Sequence, residues 1–311
     1  MTTILPPARP LRLGTRASPL AMAQARLAAQ ALCAAHGWAP DRVEIVPVTA
    51  SGDKVLDRPL AEIGGKALWT KELDHWLHDG TIDASVHSMK DVETIRPERL
   101  VIAAMLPRAD VRDTLVGATS IDALPHGGVV GTSSPRRAAQ MRRLRPDISI
   151  TLFRGNVATR LGKLEAGEAD ATLLATAGLE RLGQTAVGTP VPLSVMLPAP
   201  AQGAIGIETM RDNQAVRALV AAIDDAATSD CVCAERAVLA GLGGTCHSPI
   251  AALAMLENGR ILIRAEILSP DGTEHIADRR HIERKDEAAA RTLGRELLAA
   301  ASPALRALFT P

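Results

Sequence analysis

One short stretch of the chain combines several side chains that could do chemistry. Ala84 and Val86 predict the end of an apolar strand, and His87, Lys90 and Asp91 follow with no Gly or Pro to mark a loop. Polar side chains crowded at the end of a strand are typical of an active-site rim. A second interpretation is that Lys90 and Asp91 are solvated loop charges and that Asp91 caps a helix.

A set of arginines lies at the starts of predicted helices and in neighbouring turns. Arg136 and Arg137 follow Ser134-Pro135, a strong helix start, and so fall in the first turn, where the helix dipole is positive and prefers anions. A bound anion would explain them, with Thr132, Ser133 and the helix N–H groups as further donors to a carboxylate or phosphate. Each arginine taken singly is also an ordinary surface residue. Comparable turns hold Arg16, Arg154, Arg160 and Arg181.

The cysteines and His87 allow several interpretations. Cys246 lies in a Gly-Gly-Thr loop, where a thiol would be accessible, although this feature alone favours an inert exposed cysteine. Cys231 and Cys233 stand beside a predicted helix start and are expected to be structural. No C-x2-C pair suggests a metal site, so none is predicted. His87 could act as an acid or base, or hold a structural hydrogen bond.

Composition argues against nucleic-acid binding and membrane binding. The chain has 311 residues, 47% of them hydrophobic, and its 35 basic and 35 acidic residues cancel, so no overall field attracts nucleic acid or an anionic membrane. With no Tyr, two Phe and three Trp, there is little material for stacking on bases. No apolar run approaches the roughly 20 residues of a membrane span, and the first ten residues do not resemble a signal peptide. We therefore expect a cytoplasmic, monomeric protein that binds neither nucleic acid nor membranes.

Apolar segments and amphipathic segments alternate along the chain, which predicts an α/β fold. Ser18-Pro19 and Ser134-Pro135 each start a helix after a strand, which indicates either two related lobes or chance recurrence of a common helix start. After a Pro-rich run at 190–200, the apolar segment at 204–208 is expected to return to the first lobe's sheet. Strands are predicted at 11–15, 43–48, 82–86, 100–106, 111–116, 129–131, 148–152, 170–175, 251–256 and 261–268. Helices are predicted at 19–36, 66–77, 178–183, 213–226, 234–239 and 287–300, with one more that starts at 135 and another that ends at 165.

The chain resembles the porphobilinogen deaminase family. No single matching segment is specific, but they occur in the family's order over nearly the whole chain. They are residues 13–20, Gly64-Gly65-Lys66, residues 86–91, 131–137, Arg154-Gly155-Asn156 with Thr159-Arg160, residues 177–183, Gln202-Gly203-Ala204 and Cys246.

The resemblance implies two lobes like those of type II periplasmic binding proteins and a small α+β C-terminal domain that carries the cysteine. We place the first domain at 1–104 with 203–223, the second at 105–202 and the third at 224–311. The resemblance also implies a transferase that condenses four porphobilinogen molecules with loss of ammonia on a dipyrromethane primer, then releases hydroxymethylbilane by hydrolysis.

By the same resemblance, the dipyrromethane is bound covalently to Cys246. The implied binders of its acetate and propionate groups, and of the substrate's, are Arg16, Arg136, Arg137, Arg154, Arg160 and Arg181. Implied supporting contacts, which include residues of the matching motifs, are Ser18, Lys66, Lys90, Thr132, Ser133, Gly155, Asn156 and Gln202.

Asp91 matches the family's catalytic aspartate. Loss of ammonia leaves an electron-poor pyrrole, and a fixed carboxylate stabilises the positive charge that develops on its nitrogen. The chain departs from the family's usual pattern at Glu93, where a Pro is common, at Ala67-Leu68-Trp69 and at Thr245 before the cysteine.

Two other functions remain open from the residues alone. A two-lobed protein that binds a small polyanion without catalysis would need the arginines but not Cys246. An unrelated transferase with a cysteine nucleophile would need His87 beside Cys246.

Overall fold

The computed structural model describes residues 9–48, 70–243 and 248–309, and these divide into two compact units. The first unit takes the described parts of Met1–Val55 and Gly65–Ala109, together with Ala204–Ser229. The second takes Asp110–Gly203 and the described parts of Asp230–Pro311. The matching motif Gly64-Gly65-Lys66 and Trp69 lie outside the described residues.

The first unit is built on a five-stranded mixed sheet. Its strands are β1 (Leu11–Arg16), β2 (Val43–Val48), β3 (Ala84–Ser88), β4 (Leu100–Met105) and β10 (Ile205–Met210), in the order β2-β1-β3-β10-β4. Helix α1 (Pro19–His36) packs on this sheet, and Leu13, Leu32 and Ile207 lie in their shared core. Helix α2 (Lys71–His78) packs Leu73 and Leu77 against a second apolar cluster of the unit.

Helix α1 begins at the predicted Ser-Pro signal and ends at a glycine. The Ser18 side chain accepts a hydrogen bond from the Ala21 N–H, and Pro19 occupies the first turn. Gly37 ends the helix with φ of 65°, a left-handed conformation that glycine adopts without a steric penalty.

The predicted return of the chain to the first sheet is confirmed. Strand β10 pairs antiparallel with β3, where Gly206 lies opposite His87, and antiparallel with β4, where Gly206 lies opposite Met105. The prediction for β3 was wrong by two residues, because this strand begins at Ala84 and extends to Ser88. His87 therefore lies within the strand, and a 3-10 turn at Met89–Asp91 follows it directly.

The second unit holds a sheet with the same organisation. Its strands are β5 (Asp113–Val116), β6 (Val129–Gly131), β7 (Ser149–Thr151), β8 (Ala171–Ala175) and β9 (Thr189–Pro190), in the order β7-β6-β8-β5-β9. As with β1, β2 and β3, the strands β6, β7 and β8 are parallel, and β5 is antiparallel like β10. Helices α3 (Pro135–Leu144), α4 (Val157–Glu165) and α5 (Thr176–Arg181) follow β6, β7 and β8. The two predicted helix starts thus occupy equivalent places in two similar lobes.

The C-terminal part is the predicted α+β domain. Strands β11 (Ile250–Glu257), β12 (Arg260–Leu268) and β13 (His275–Ile282) form an antiparallel meander, with a turn at Asn258-Gly259 between the first two. Helix α8 (Glu287–Ala300) matches its prediction, whereas β13 and helix α9 (Pro303–Arg306) were missed.

Two helices before this domain differ from the prediction. The helix expected at 213–226 is the shorter α6 (Gln214–Val220), which a 3-10 turn at Ala221–Ile223 follows. Helix α7 (Ala226–Leu242) begins eight residues before the predicted start, so Cys231 and Cys233 lie inside it rather than at its beginning.

A close approach in the first sheet predicts the effect of a small substitution. A Cβ added at Gly206 would lie 2.1 Å from Met89 Sδ, in the turn that carries Asp91. We expect Gly206→Ala to lower the free energy of unfolding by about 1 to 3 kcal/mol, the usual cost of overpacking a core, and to reduce turnover by moving this turn. Thermal or urea unfolding and a steady-state assay measure both effects.

Gly162→Ala is the matched control, because a Cβ there meets nothing within 4 Å in the middle of α4. It should raise stability slightly through helix propensity and leave turnover unchanged. Unaltered stability and turnover in Gly206→Ala would show that the turn at Met89 tolerates displacement.

Candidate active site

The structure brings Arg16, Ser18 and Asp91 to one pocket of the first unit. Strands β1 and β3 are parallel, so their carboxyl ends meet at one edge of the sheet. Arg16 ends β1, Ser18 caps α1, and Asp91 is the last residue of the 3-10 turn after β3. Lys90 lies in that turn but does not line the pocket. The lining comprises Arg16, Ser18, Leu20, Ala21, Gln24, Thr70, Val86, His87, Ser88, Asp91 and Val92.

Hydrogen bonds fix two side chains of the pocket wall. The amide of Gln24, on α1, donates to Ser88 Oγ over 2.8 Å, and the Ser88 hydroxyl lies 3.0 Å from Gln24 Oε1. This pair holds the end of β3 to the first helix. The turn that carries Asp91 therefore starts from an anchored residue.

A buried network of charges lies behind the pocket and was not predicted. His87 Nε2 lies 2.7 Å from Ser85 Oγ and 3.1 Å from Glu208 Oε2. Both Glu208 carboxylate oxygens accept bonds from the Arg96 guanidinium, each over 2.9 Å. His87 thus has the structural hydrogen bonds of one predicted interpretation and also lines the pocket, as the other requires.

Arg96 joins this network to Thr70, another residue that lines the pocket. Its Nη1 donates to Thr70 Oγ1 over 3.1 Å, and its Nη groups also bind the carboxylates of Glu93 and Asp74. Thr70, which lines the pocket, donates to Glu93 over 3.0 Å. Glu93 is the residue that departs from the family's common Pro, and here it is an acceptor for Arg96 and Thr70.

The network shifts the ionisation of its members. Burial alone would raise the pKa of Glu208, but the hydrogen bond and charge of His87, with those of Arg96, outweigh burial and lower the pKa to about 2. Burial raises the pKa of Asp74, and Arg96 opposes that rise only in part. Burial would lower the pKa of Arg96, yet its acidic neighbours raise it.

In the second unit, Arg136 and Arg137 have an internal partner. Both guanidinium groups bind the carboxylate of Asp113, which is buried at the start of β5. Sequence analysis expected a bound anion to explain two arginines in the first turn of α3, and the protein itself supplies one. The two charges lower the pKa of Asp113 although burial alone would raise it.

Gln202 converges on the same carboxylate. Its Nε2 donates to Asp113 Oδ1 over 2.9 Å and to the carbonyl of Val111 over 2.8 Å. Thr132, in the turn before α3, is buried and accepts a bond from the Ser134 N–H, while Ser133 is half-buried beside it.

The loop before α4 and the first turn of this helix hold four of the predicted residues. Gly155 has φ of 104°, and a Cβ there would lie 2.7 Å from the Thr159 side chain, so glycine is required. Asn156 caps α4 by accepting from the Thr159 N–H over 2.9 Å. Arg154 is buried, and Arg160 donates from Nε to the Gly155 carbonyl over 3.0 Å.

Arg181 lies at the end of α5 and donates from Nη2 to the Gly203 carbonyl over 2.6 Å. Burial lowers its pKa to about 10, and Glu180 opposes this only weakly. Such a guanidinium is stabilised by a further anion that approaches it.

Two predicted site residues, Lys66 and Cys246, lie outside the described residues. In sequence, Cys246 stands between α7 and β11. Within the described ranges, no group of three or more His, Cys, Asp or Glu side chains is placed to hold a metal ion. No helix in that same part of the chain is long and apolar enough to cross a membrane.

Sequence reasoning missed Asp113, Glu208 and Arg96. A signal existed for Glu208, because an acidic residue in the apolar strand Ile205–Met210 needs a buried basic partner. Asp113 gave a weaker signal, because Asp after Arg112 also fits a charged turn.

Two family models match consecutive parts of the chain. The model described as "Porphobilinogen deaminase, dipyromethane cofactor binding domain" matches residues 11–218. The model described as "Porphobilinogen deaminase, C-terminal domain" matches residues 229–302.

Curated relatives agree with these matches. A porphobilinogen deaminase of Sphingopyxis alaskensis is 58% identical over 315 residues, covering 99% of either chain. That of Paracoccus denitrificans is 53% identical over 283 residues, covering 90% of either chain.

Among solved structures, one match is a periplasmic VFT2 domain of BvgS from Bordetella pertussis. It is 16% identical in sequence, has a TM-score of 0.38, and the match covers 69% of this chain and 86% of that one. Another is a substrate-binding domain of a putative amino acid ABC transporter from Streptococcus pneumoniae, at 12% identity and a TM-score of 0.41 over 68% of this chain and 90% of that one. These values are low, and nothing about the ligand of this chain follows from them.

The charge network behind the pocket predicts how stability depends on pH. The pKa of Glu208 is depressed in the folded state, so its contribution is complete above the ordinary value of 4.5 and is lost as the pH falls toward about 2. The shift corresponds to about 3 kcal/mol. We expect Glu208→Gln to lower the free energy of unfolding by about this amount at pH 7 and to flatten its decline between pH 4.5 and 2.

Urea unfolding at several pH values measures this difference. Glu98→Gln, at an exposed position near β4, is the control and should follow the wild-type curve. Parallel curves for wild type and Glu208→Gln would refute the role given to Glu208.

Proposed function

The chain belongs to the porphobilinogen deaminase family, and we propose that Asp91 and Arg16 act in one pocket as its catalytic carboxylate and a substrate-carboxylate ligand. The protein is a transferase that polymerises porphobilinogen on a dipyrromethane cofactor in tetrapyrrole biosynthesis. The observation that carries the residue assignment is that Asp91 and Arg16 line the same pocket at the carboxyl ends of β3 and β1.

In this proposal Asp91 stabilises positive charge on the pyrrole nitrogen of the substrate as ammonia leaves. A carboxylate held in a fixed turn needs no reorganisation when that charge appears, which makes its stabilisation effective. Arg16 binds a carboxylate of the substrate and fixes the ring relative to Asp91. Ser18 and the first turn of α1 add donors for the same group.

The residues of the second unit suit a group rich in carboxylates. Arg136 Nε is buried and has no hydrogen-bond partner among the described residues, so it offers a donor to a ligand. The lowered pKa of Arg181 marks a second guanidinium that an anion would stabilise. We assign the cofactor's acetate and propionate groups to Arg136, Arg137, Arg154, Arg160 and Arg181, with Thr132, Ser133, Gly155, Asn156 and Gln202 as supporting contacts.

The cofactor, when bound, supplies the pyrrole to which the first substrate unit is joined. We propose that the Cys246 thiol holds it covalently and that Lys66 and Lys90 contribute further positive charge. The domains proposed for this arrangement are 1–104 with 203–223, 105–202 and 224–311. A cytoplasmic monomer without nucleic-acid or membrane partners completes the proposal.

The two other functions are not favoured. A polyanion-binding protein without catalysis does not account for a chain that matches both porphobilinogen deaminase models in order. An unrelated cysteine transferase would require His87 as a base, whereas His87 Nε2 is engaged by Ser85 and Glu208.

Intact mass spectrometry tests the attachment of the cofactor. The purified chain should carry an added dipyrromethane mass, and Cys246→Ser should lack it and be inactive. Cys233→Ser, half-buried in α7 and not in a disulfide, is the control that should keep the adduct. A fully active chain without the added mass would refute the attachment to Cys246.

A second experiment tests Asp91. Asp91→Asn keeps the size of the side chain and removes its charge, so we expect kcat to fall about 10²- to 10³-fold with a smaller change in KM. The melting temperature should stay near that of the wild type. Asp212→Asn, at an exposed position, should retain normal kinetics. Near-normal kcat in Asp91→Asn would remove Asp91 from the mechanism.

A further inference from the structure

The carboxylate of Asp113 is the common acceptor for three residues assigned to the cofactor. Its Oδ1 accepts from Arg137 Nη2 over 2.6 Å, from Arg137 Nε over 3.2 Å and from Gln202 Nε2 over 2.9 Å. Its Oδ2 accepts from Arg136 Nη1. Only 1% of the Asp113 side chain is exposed, so no water replaces these partners.

Charge explains why this carboxylate has to be present. Arg136 and Arg137 are adjacent, and their side chains are 4% and 6% exposed, so each raises the cost of burying the other's charge. Asp113 leaves one net positive charge on the group of three side chains. That charge is available to an anionic ligand, whereas two uncompensated guanidinium groups would be costly to bury before any ligand arrives.

Other partners fix the directions of the two guanidinium groups. Arg137 Nη1 donates to the Leu173 carbonyl over 2.7 Å. Arg136 Nη1 also donates to Gln140 Oε1 and to the Leu197 carbonyl, each over 3.1 Å. The orientation of both arginines is therefore set by the protein.

The hydrogen bonds continue from Arg136 into the C-terminal domain. Gln140, one turn further along α3, donates from Nε2 to Glu266 Oε1 on β12 over 2.6 Å. Glu266 in turn lies 2.8 Å from His275 on β13. Arg136 is thus linked to the domain whose sequence contains Cys246.

We propose that Asp113 is a positioning residue for the cofactor, which holds Arg136, Arg137 and Gln202 in the orientation that receives the cofactor's carboxylates. The inference rests on the proposed function, because it assumes that these three residues contact the dipyrromethane. It adds a residue that touches neither cofactor nor substrate and acts through the three that do.

Asp113→Asn and Asp113→Glu test this role in the full chain. The first removes the charge, and the second keeps it but displaces it by one methylene. The control is Asp147→Asn, since Asp147 accepts from Arg145 over 2.7 and 2.8 Å in the same unit and has no hydrogen bond to a described residue assigned to the cofactor. For each soluble variant we measure the melting temperature, the fraction of chains that carry the adduct by intact mass, and KM and kcat of that fraction.

We expect the adduct-bearing fraction of soluble Asp113→Asn to fall roughly tenfold, the factor that one charge-assisted hydrogen bond supplies. Asp113→Glu should show a smaller loss and a raised KM with a near-normal melting temperature. Asp147→Asn should be loaded like the wild type.

A lower melting temperature together with normal loading in Asp113→Asn would mean a purely structural role and would overturn the inference. If Asp113→Asn is insoluble, Asp113→Glu decides the question, and normal loading and KM in that variant overturn the inference too. An unmodified wild-type chain would instead contradict the proposed function itself.

Discussion

A buried carboxylate between two guanidinium groups is the constraint on which the second lobe depends. Asp113 can remain charged inside the protein only because Arg136 and Arg137 bind it, and these arginines tolerate burial only because Asp113 is there. The first lobe has a similar arrangement, in which Glu208 is bound by Arg96 and His87. In each lobe the buried acid belongs to the antiparallel strand, β5 or β10, of an otherwise parallel arrangement. Strands β5 and β10 are thus held in their lobes by ion pairs as well as by the hydrogen bonds to their neighbouring strands.

Much of the framework could be predicted from the sequence because the signals are local. Ser18-Pro19 and Ser134-Pro135 start helices through capping and restricted φ, and both predictions are confirmed. Asp91 was predicted at the end of a strand, and the structure adds that Arg16 lies at the carboxyl end of the parallel neighbour β1. Strand β13 was not predicted because its sequence, His275–Ile282, is rich in polar and charged residues that are mostly half-buried or exposed, so it lacks a clear apolar alternation.

The charge networks could not be predicted because their members are far apart in sequence. Glu208 and Arg96 are separated by 112 positions, and Gln202 and Asp113 by 89. No local sequence pattern predicts such a distant pair. The single local indication is an acidic residue within an apolar strand, which needs a buried partner. Glu93 departs from the family's usual Pro, and its partners are Thr70, 23 positions earlier, and Arg96, three positions later.

The position of β10 has a consequence for how the protein is made. Within the described sheet, β4 is hydrogen-bonded to β10 alone, and β10 ends at Met210. All strands of the second sheet have been synthesised by Pro190. During translation, the lobe that begins later in the chain can therefore complete its sheet first. Strand β4 of the earlier lobe lacks a partner until the later sheet has left the ribosome, and its unpaired edge is exposed to wrong partners in that interval.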